Sequence, residues 1–359
     1  MGTTGLTEHI RSLDGLRGLA AYIVFISHFS SLTGFTGGVL GNGGGQLGVM
    51  LFFALSGFLM SHLYFPERPT PTNIWTFFQR RFARVIPLFL AVVLTSFALT
   101  LVFSHWHFWA YHIKSWQDVV AHLAMMRGDH VLWTVIVEVK FYLMLPALWI
   151  FYWLRPRWFL PLLLGLIAAV FVYQRVVTGP ETSVQSVFYA GHYFLAGVVV
   201  FVVLKHLPND APWNAAFATA LAAVPILYPS FEVLVSLPAA GQSLRATAQE
   251  MWSSPIYLIV VAALLATTVK SGWANRLFGS TPLRFLGAVS YSFYLLHMPV
   301  LWYLNRFTPL GEHVWLFFLV SHALVLTVST VSFYAIERPA RLWITALGSK
   351  ATAVPQPAE

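Results

Sequence analysis

Long apolar runs, separated by short stretches rich in Arg, Gly and Pro, dominate the chain. A bilayer span needs about 20 such residues, within a range near 17–25. By that length rule the pattern predicts about ten transmembrane helices. They fall near 17–34, 47–65, 84–104, 131–153, 158–177, 187–205, 213–229, 254–270, 284–305 and 314–336. The seventh, WNAAFATALAAVPILYP, is the weakest, because Pro225 interrupts it. The stretches QDVVAHLAMMR and FEVLVSLPAAGQSLRATAQE are too short or too mixed to span, and read as interfacial pieces. No internal or inverted repeat stands out. The predicted fold is an all-α polytopic membrane protein with a single transmembrane domain over 1–345. The polar, Pro-containing remainder, 346–359, is predicted to be a disordered cytoplasmic tail.

Basic residues orient this pattern. With an even number of spans and both termini inside, most of the 21 Lys and Arg fall in inner segments. Only Lys114, Arg127, Arg175, Arg245 and Arg306 fall outside, and Lys140 lies within a span. That bias predicts cytoplasmic termini. Composition agrees with the membrane assignment: 58% of residues are hydrophobic and 9% charged, against about 25% charged in soluble domains. The net charge of +8 reports basic residues at membrane boundaries and implies no nucleic-acid partner. The N-terminus has the features of no cleavable signal peptide, so the first run is expected to remain as a span. The absence of cysteine excludes disulfides, thiolate metal sites and a cysteinyl intermediate.

Against this background the ionisable residues inside the spans stand out, because the bilayer normally excludes them. In LDGLRGLAAYIVFISHF, Arg17 and His28 are eleven residues apart. At about 100° per residue both lie on one helical face, separated by about 16 Å of rise. Asp14 is one turn before Arg17 and is positioned to hold it. Glu138, in the fourth run, falls at a similar predicted depth. Ser290, Tyr294 and His297 share a face of the ninth run, where helix-to-helix bonding is an equally good explanation. Arg80, Arg81 and Arg84 cluster at the start of the third run. Arginine forks bind phosphates, but positive-inside anchoring explains such a cluster on its own. The aromatic stretch SHWHFWAYHIKSW reads as an interfacial belt, and His105 and His107 lack the spacing of a metal site.

Taken in order, these segments resemble the membrane acyltransferase 3 family, which includes bacterial surface-polysaccharide O-acetyltransferases. The likeness covers nearly the whole chain. Its most specific part is Arg17, ten residues, then His28. LGVMLFFALSGFLM, with Ser56 and Gly57, is similar to the second-span motif, and RRFARVIP to the arginine motif. The segment from Trp133 to Pro146 resembles the fourth-span motif with its glutamate. LGAVSYSFYLLH resembles the late Ser-Tyr…His motif, and YAIERP, with Glu337, the usual ending. Some members carry a fused esterase-like domain, so any such partner of this chain is expected to be separate.

The resemblance implies an O-acyltransferase in the bacterial inner membrane. It would carry an acyl group from acyl-CoA, usually acetyl-CoA, to a carbohydrate hydroxyl, with the acceptor lipid-linked or exported. No bound cofactor or metal is implied. On this reading Arg17, Arg81 and Arg84 hold the donor, His28 is the general base, and Glu138 orients it or stabilises its protonated form. Asp14, Trp133, Ser290, Tyr294 and His297 support the site or face the acceptor, with Trp106 and Trp109 contributing on the outer side. A rival reading is a transporter or flippase that uses His28 and Glu138 as a proton relay.

Overall fold

The computed structural model describes residues 10–103, 111–177, 185–237 and 244–351 of the 359. All regular structure among them is helical. The chain begins α1 (Arg11–Thr33), α2 (Gly45–Tyr64) and α3 (Pro71–Phe103). A short helix α4 (Trp116–Leu123) leads to α5 (Leu132–Leu154) and α6 (Pro156–Val177). There follow α7 (Val187–Ala190), α8 (His192–Leu204), α9 (Trp213–Ile226), α10 (Arg245–Ser253) and α11 (Pro255–Lys270). The last third holds α12 (Gly272–Phe278), α13 (Thr281–Ala288), α14 (Ser290–Phe307) and α15 (Val314–Ser332). A π turn over Phe333–Glu337 joins α15 to α16 (Arg338–Ala351).

Each apolar run predicted from sequence coincides with helix, but the runs are not equivalent. Among the described residues six helices are long and apolar enough to cross a bilayer, and up to eight if each of two bent pairs is one span. The bent pairs are α10–α11, at 64°, and α13–α14, at 73°. The runs near 187–205 and 213–229 yield the shorter helices α8 and α9. Their ends are set by local chemistry: Gly191 precedes α8, and Pro225 sits in the last turn of α9. QDVVAHLAMMR gives α4, capped where Ser115 Oγ accepts from Asp118 N at 3.1 Å. The helix α16 continues through Ala351, and the rest of the predicted tail, 352–359, lies outside the described set.

Large apolar side chains remain exposed along α6 and α15, among them Leu164, Val172, Trp315, Leu319 and Val331. Faces of this extent suit lipid rather than water. The interior is assembled around α1, which packs on α2, α12, α13 and α14. Close approach is achieved with glycine, as is usual between helices that meet in a bilayer. A Cβ on Gly57 would stand 2.0 Å from the Phe194 carbonyl oxygen, and one on Gly197 would stand 2.0 Å from that of Ala54. Thus α2 and α8 lie backbone to backbone. At the other contact a Cβ on Gly287 would stand 1.9 Å from the Asp14 carbonyl oxygen, which brings α13 directly against the start of α1.

Gly57→Ala is therefore expected to destabilise the chain by about 1–3 kcal/mol, the usual cost of overpacking. The methyl group meets backbone that cannot rotate away. Gly165→Ala, where an added Cβ meets nothing within 4 Å, is the control and should be neutral or mildly stabilising. Thermal unfolding in detergent measures both. Equal midpoints for the two variants would contradict the close α2–α8 contact.

Candidate active site

The face of α1 that carries Asp14, Arg17 and His28 borders a series of three cavities. The first, about 410 Å³, is lined by Asp14, Arg17, Arg81, Arg84, Glu337 and Arg341, with His62 and Tyr291 beside them. The second is a narrow neck of about 70 Å³ that reaches Ser56, Thr134, Glu138, Ser290 and Tyr294. The third, about 350 Å³, holds Ser27, His28, Gln46, His130, Trp133 and Tyr294. Neighbouring cavities share wall residues. Arg17, Arg81 and Arg84 line the first two, and Val49 and Tyr294 line the second and third.

The arginine end is built by α1, α3, the π turn and α16, which carries Arg341. On α1, Asp14 Oδ1 lies 3.7 Å from Arg17 Nη1, the pairing expected three residues apart on a helix. On α3, Arg81 Nη2 donates to Tyr64 Oη at 3.4 Å, and its guanidinium carbon sits 5.4 Å from the Tyr64 ring centre. Arg81 Nε is buried with no hydrogen-bond partner among the described residues. The π turn supplies Glu337, which accepts a hydrogen bond from Ser292 Oγ; Ser292 also lies 3.2 Å from Ser332 Oγ. Such turns recur at functional sites because one extra residue re-aims a side chain. Four arginines against two carboxylates give this cavity an excess of positive charge, suited to a polyanionic group.

In the neck Glu138 Oε1 accepts from Ser56 Oγ at 2.8 Å and from Tyr142 Oη at 2.6 Å. It does not hold His28. The expectation that Glu138 orients His28 is corrected here: matching depth does not by itself bring two side chains from different helices together. The partner of His28 is His297, with His28 Nδ1 2.8 Å from His297 Nε2. The two rings are nearly parallel, at 10°. Their proton positions follow from the next contact. His297 Nδ1 lies 2.7 Å from the Tyr294 carbonyl oxygen, which can only accept. A neutral His297 then presents a bare Nε2, so His28 Nδ1–H must donate to it. The free lone pair of a neutral His28 is therefore on Nε2. This is the arrangement of a base oriented by a second group.

The other predicted residues have varied settings. Tyr294 separates neck from third cavity, and its hydroxyl lies 3.4 Å from the Val131 carbonyl oxygen. Ser290 Oγ donates to the Gly287 carbonyl at 2.8 Å, where α13 gives way to α14, and it also lines the neck. Trp133 lines the third cavity and meets Phe53 edge-on at 6.0 Å. Trp106, Trp109, His105 and His107 lie outside the described residues. Sequence reasoning missed Tyr142, although its spacing four residues after Glu138 is a usable signal. It also missed His62, Tyr291, Arg341, Gln46 and His130, each brought in by tertiary packing. Gln46 Oε1 accepts from Trp252 Nε1 at 2.9 Å, which directs its NH₂ group away from that partner. Near His130, His112 is held below the ordinary histidine pKa, chiefly by burial and against the opposing charge of Asp129.

A family model described as "Acyltransferase domain" matches residues 10–334. The chain belongs to the membrane acyltransferase 3 family. Similar proteins include the O-acetyltransferase OatA of Staphylococcus aureus (strain NCTC 8325 / PS 47), 24% identical over 373 residues, which cover 93% of this chain and 57% of that protein. The peptidoglycan O-acetyltransferase OatA of Listeria monocytogenes serovar 1/2a (strain ATCC BAA-679 / EGD-e) is 23% identical over 368 residues, with 93% and 56% covered. The chain thus spans little more than half the length of these relatives. No solved structure matches it. Membership of the acyltransferase 3 family displaces the transporter reading, and the geometry gives that reading no direct relay: His28 is bonded to His297, Glu138 to Ser56 and Tyr142.

Proposed function

We propose that this chain is an O-acetyltransferase that moves an acetyl group from acetyl-CoA to a hydroxyl of a cell-envelope carbohydrate. The reading is carried by the row of adjoining cavities, with arginines at one end and the His28–His297 pair at the other. The phosphates of CoA suit Arg17, Arg81, Arg84 and Arg341. The neck suits the thin pantetheine arm, which would bring the thioester toward Tyr294 while the nucleotide stays behind. The acceptor hydroxyl enters the cavity that holds His28. His28 Nε2 takes its proton as the oxygen attacks the thioester carbonyl. The C–S bond breaks, and the thiolate leaves with that proton. His297 accepts the hydrogen bond from His28 Nδ1 and so keeps the lone pair on Nε2. The name of the Listeria relative supports a glycan of the cell envelope as acceptor.

The test is thiol release from acetyl-CoA by the purified chain, with and without a peptidoglycan fragment or other envelope glycan. Acceptor-dependent release with acetylated glycan in the products is expected. Acetyl-CoA left intact with every glycan tried would overturn the donor assignment.

The same reading takes the chain as a ten-span protein of the bacterial inner membrane, with α8 and α9 as short spans and both termini in the cytoplasm. Reporter fusions after residues 70, 156 and 275 are expected to report cytoplasm, and one after 115 the outer side. A periplasmic signal at residue 70 would put Arg80, Arg81 and Arg84 in the wrong compartment and sink the arrangement.

A further inference from the structure

The connection from α3 to α5, at the far end of α3 from the arginine cluster, gathers three side chains of a kind that bind metals. His112, Asp129 and His130 each offer one ligand atom, and the three atoms lie within 4.8 Å of one another. A tetrahedral zinc ion with ligands at about 2.1 Å holds them about 3.4 Å apart. Closing the set therefore takes shifts of little more than about 1 Å, within reach of side-chain rotation.

The loop already fixes the carboxylate. Asp129 Oδ2 accepts from the His112 backbone N–H at 2.8 Å. The Asp129 backbone N–H donates to His122 Nε2 at 3.2 Å. His122 Nδ1 lies 2.7 Å from the Asp118 carbonyl oxygen, so it donates there and leaves Nε2 to accept. The main chain of His112 thus orients the Asp129 carboxylate, and His122, outside the ligand set, holds the Asp129 backbone, in the manner of supporting bonds around metal ligands. The two imidazoles flank one indole: His130 meets Trp302 edge-on at 4.7 Å, and His112 stacks beside it at 6.3 Å. His130 adopts φ +41°, a left-handed conformation uncommon for residues other than glycine. Strain of this kind persists where the surroundings demand one side-chain direction. Two imidazoles and one carboxylate suit zinc better than magnesium or calcium, which prefer oxygen throughout.

We propose that His112, Asp129 and His130 form a zinc-binding site at the rim of the cavity that holds His28. Three protein ligands leave the fourth tetrahedral position open. Because His130 also lines that cavity, the open position can take an oxygen of a molecule entering from this side. The site stands apart from the proposed transfer reaction and is testable without turnover.

The full chain, purified in detergent and freed of metal, is titrated with zinc chloride by calorimetry. One zinc per chain is expected. His112→Ala, Asp129→Ala and His130→Ala should each weaken binding at least tenfold, whereas His206→Ala, at an exposed position elsewhere, should not. Cobalt(II) added to the unaltered chain should give the intense visible bands of a four-coordinate ion, which keeps the test decisive if a variant misfolds. Absence of stoichiometric zinc binding, or binding unchanged in all three variants, would overturn the site.

Discussion

His28→Ala is expected to insert and fold normally yet lose about 10²–10⁴-fold in turnover, the usual range for removal of a general base. The side chain is half-buried in the third cavity, with Nδ1 engaged and Nε2 left to take a proton. His297 gives the loss a second signature. His297→Ala removes the acceptor that fixes the His28 ring, so it should lower kcat with little change in acceptor KM. His297→Gln retains an oxygen that can accept from His28 Nδ1 and should recover part of that loss. A purely structural role for His297 predicts no such recovery. Near-normal turnover in a well-expressed His28→Ala variant would remove His28 from the mechanism, whatever His297 does.

The arginine cavity gives the second large effect, and it is one of sidedness. Phosphates do not cross a bilayer core at tolerable cost. Acetyl-CoA should therefore serve only from the membrane face on which Arg81 and Arg84 open. In inverted vesicles with acceptor enclosed, added acetyl-CoA is expected to support acetylation; in right-side-out vesicles, with acetyl-CoA outside, it is not. Arg81→Ala and Arg84→Ala should each raise the donor KM about ten- to hundred-fold, since a hydrogen bond to a charged group contributes about 1.5–3 kcal/mol. The acceptor KM should stay within about twofold, because the proposed acceptor site lies beyond the neck. Transfer only when both substrates share one face would refute passage of the acyl group through the neck.

Much of this geometry was legible in the chain because it is local. Arg17 and His28 share a face by counting turns, and Asp14 meets Arg17 one turn away. Ser290, Tyr294 and His297 likewise lie on one stripe of α14. The unpredicted contacts are those between helices. His28 and His297 are 269 residues apart, and Ser56 and Glu138 are 82 apart. Helical periodicity states which residues share a face but not which face of another helix they meet. Of the two bends, the one between α10 and α11 has a signal in Pro255, which opens α11, and the other has none as plain. No proline marks residues 288–290, yet the chain turns there by 73°. The turn is held by α13 lying on α1 at Gly287, a contact read only from the packed structure.

The π turn at Phe333–Glu337 sets a rule about chain length rather than composition. Each helical residue rotates the chain by about 100°, so the one additional residue turns everything after it by that amount. Glu337 and Arg341 both owe their view of the arginine cavity to this offset. Residues 333–336 can therefore exchange one apolar side chain for another with small effect on the cavity's charge. Losing a single residue there would swing α16 a little more than a quarter of a turn and point Arg341 elsewhere. In this stretch the number of residues carries information that their identities do not.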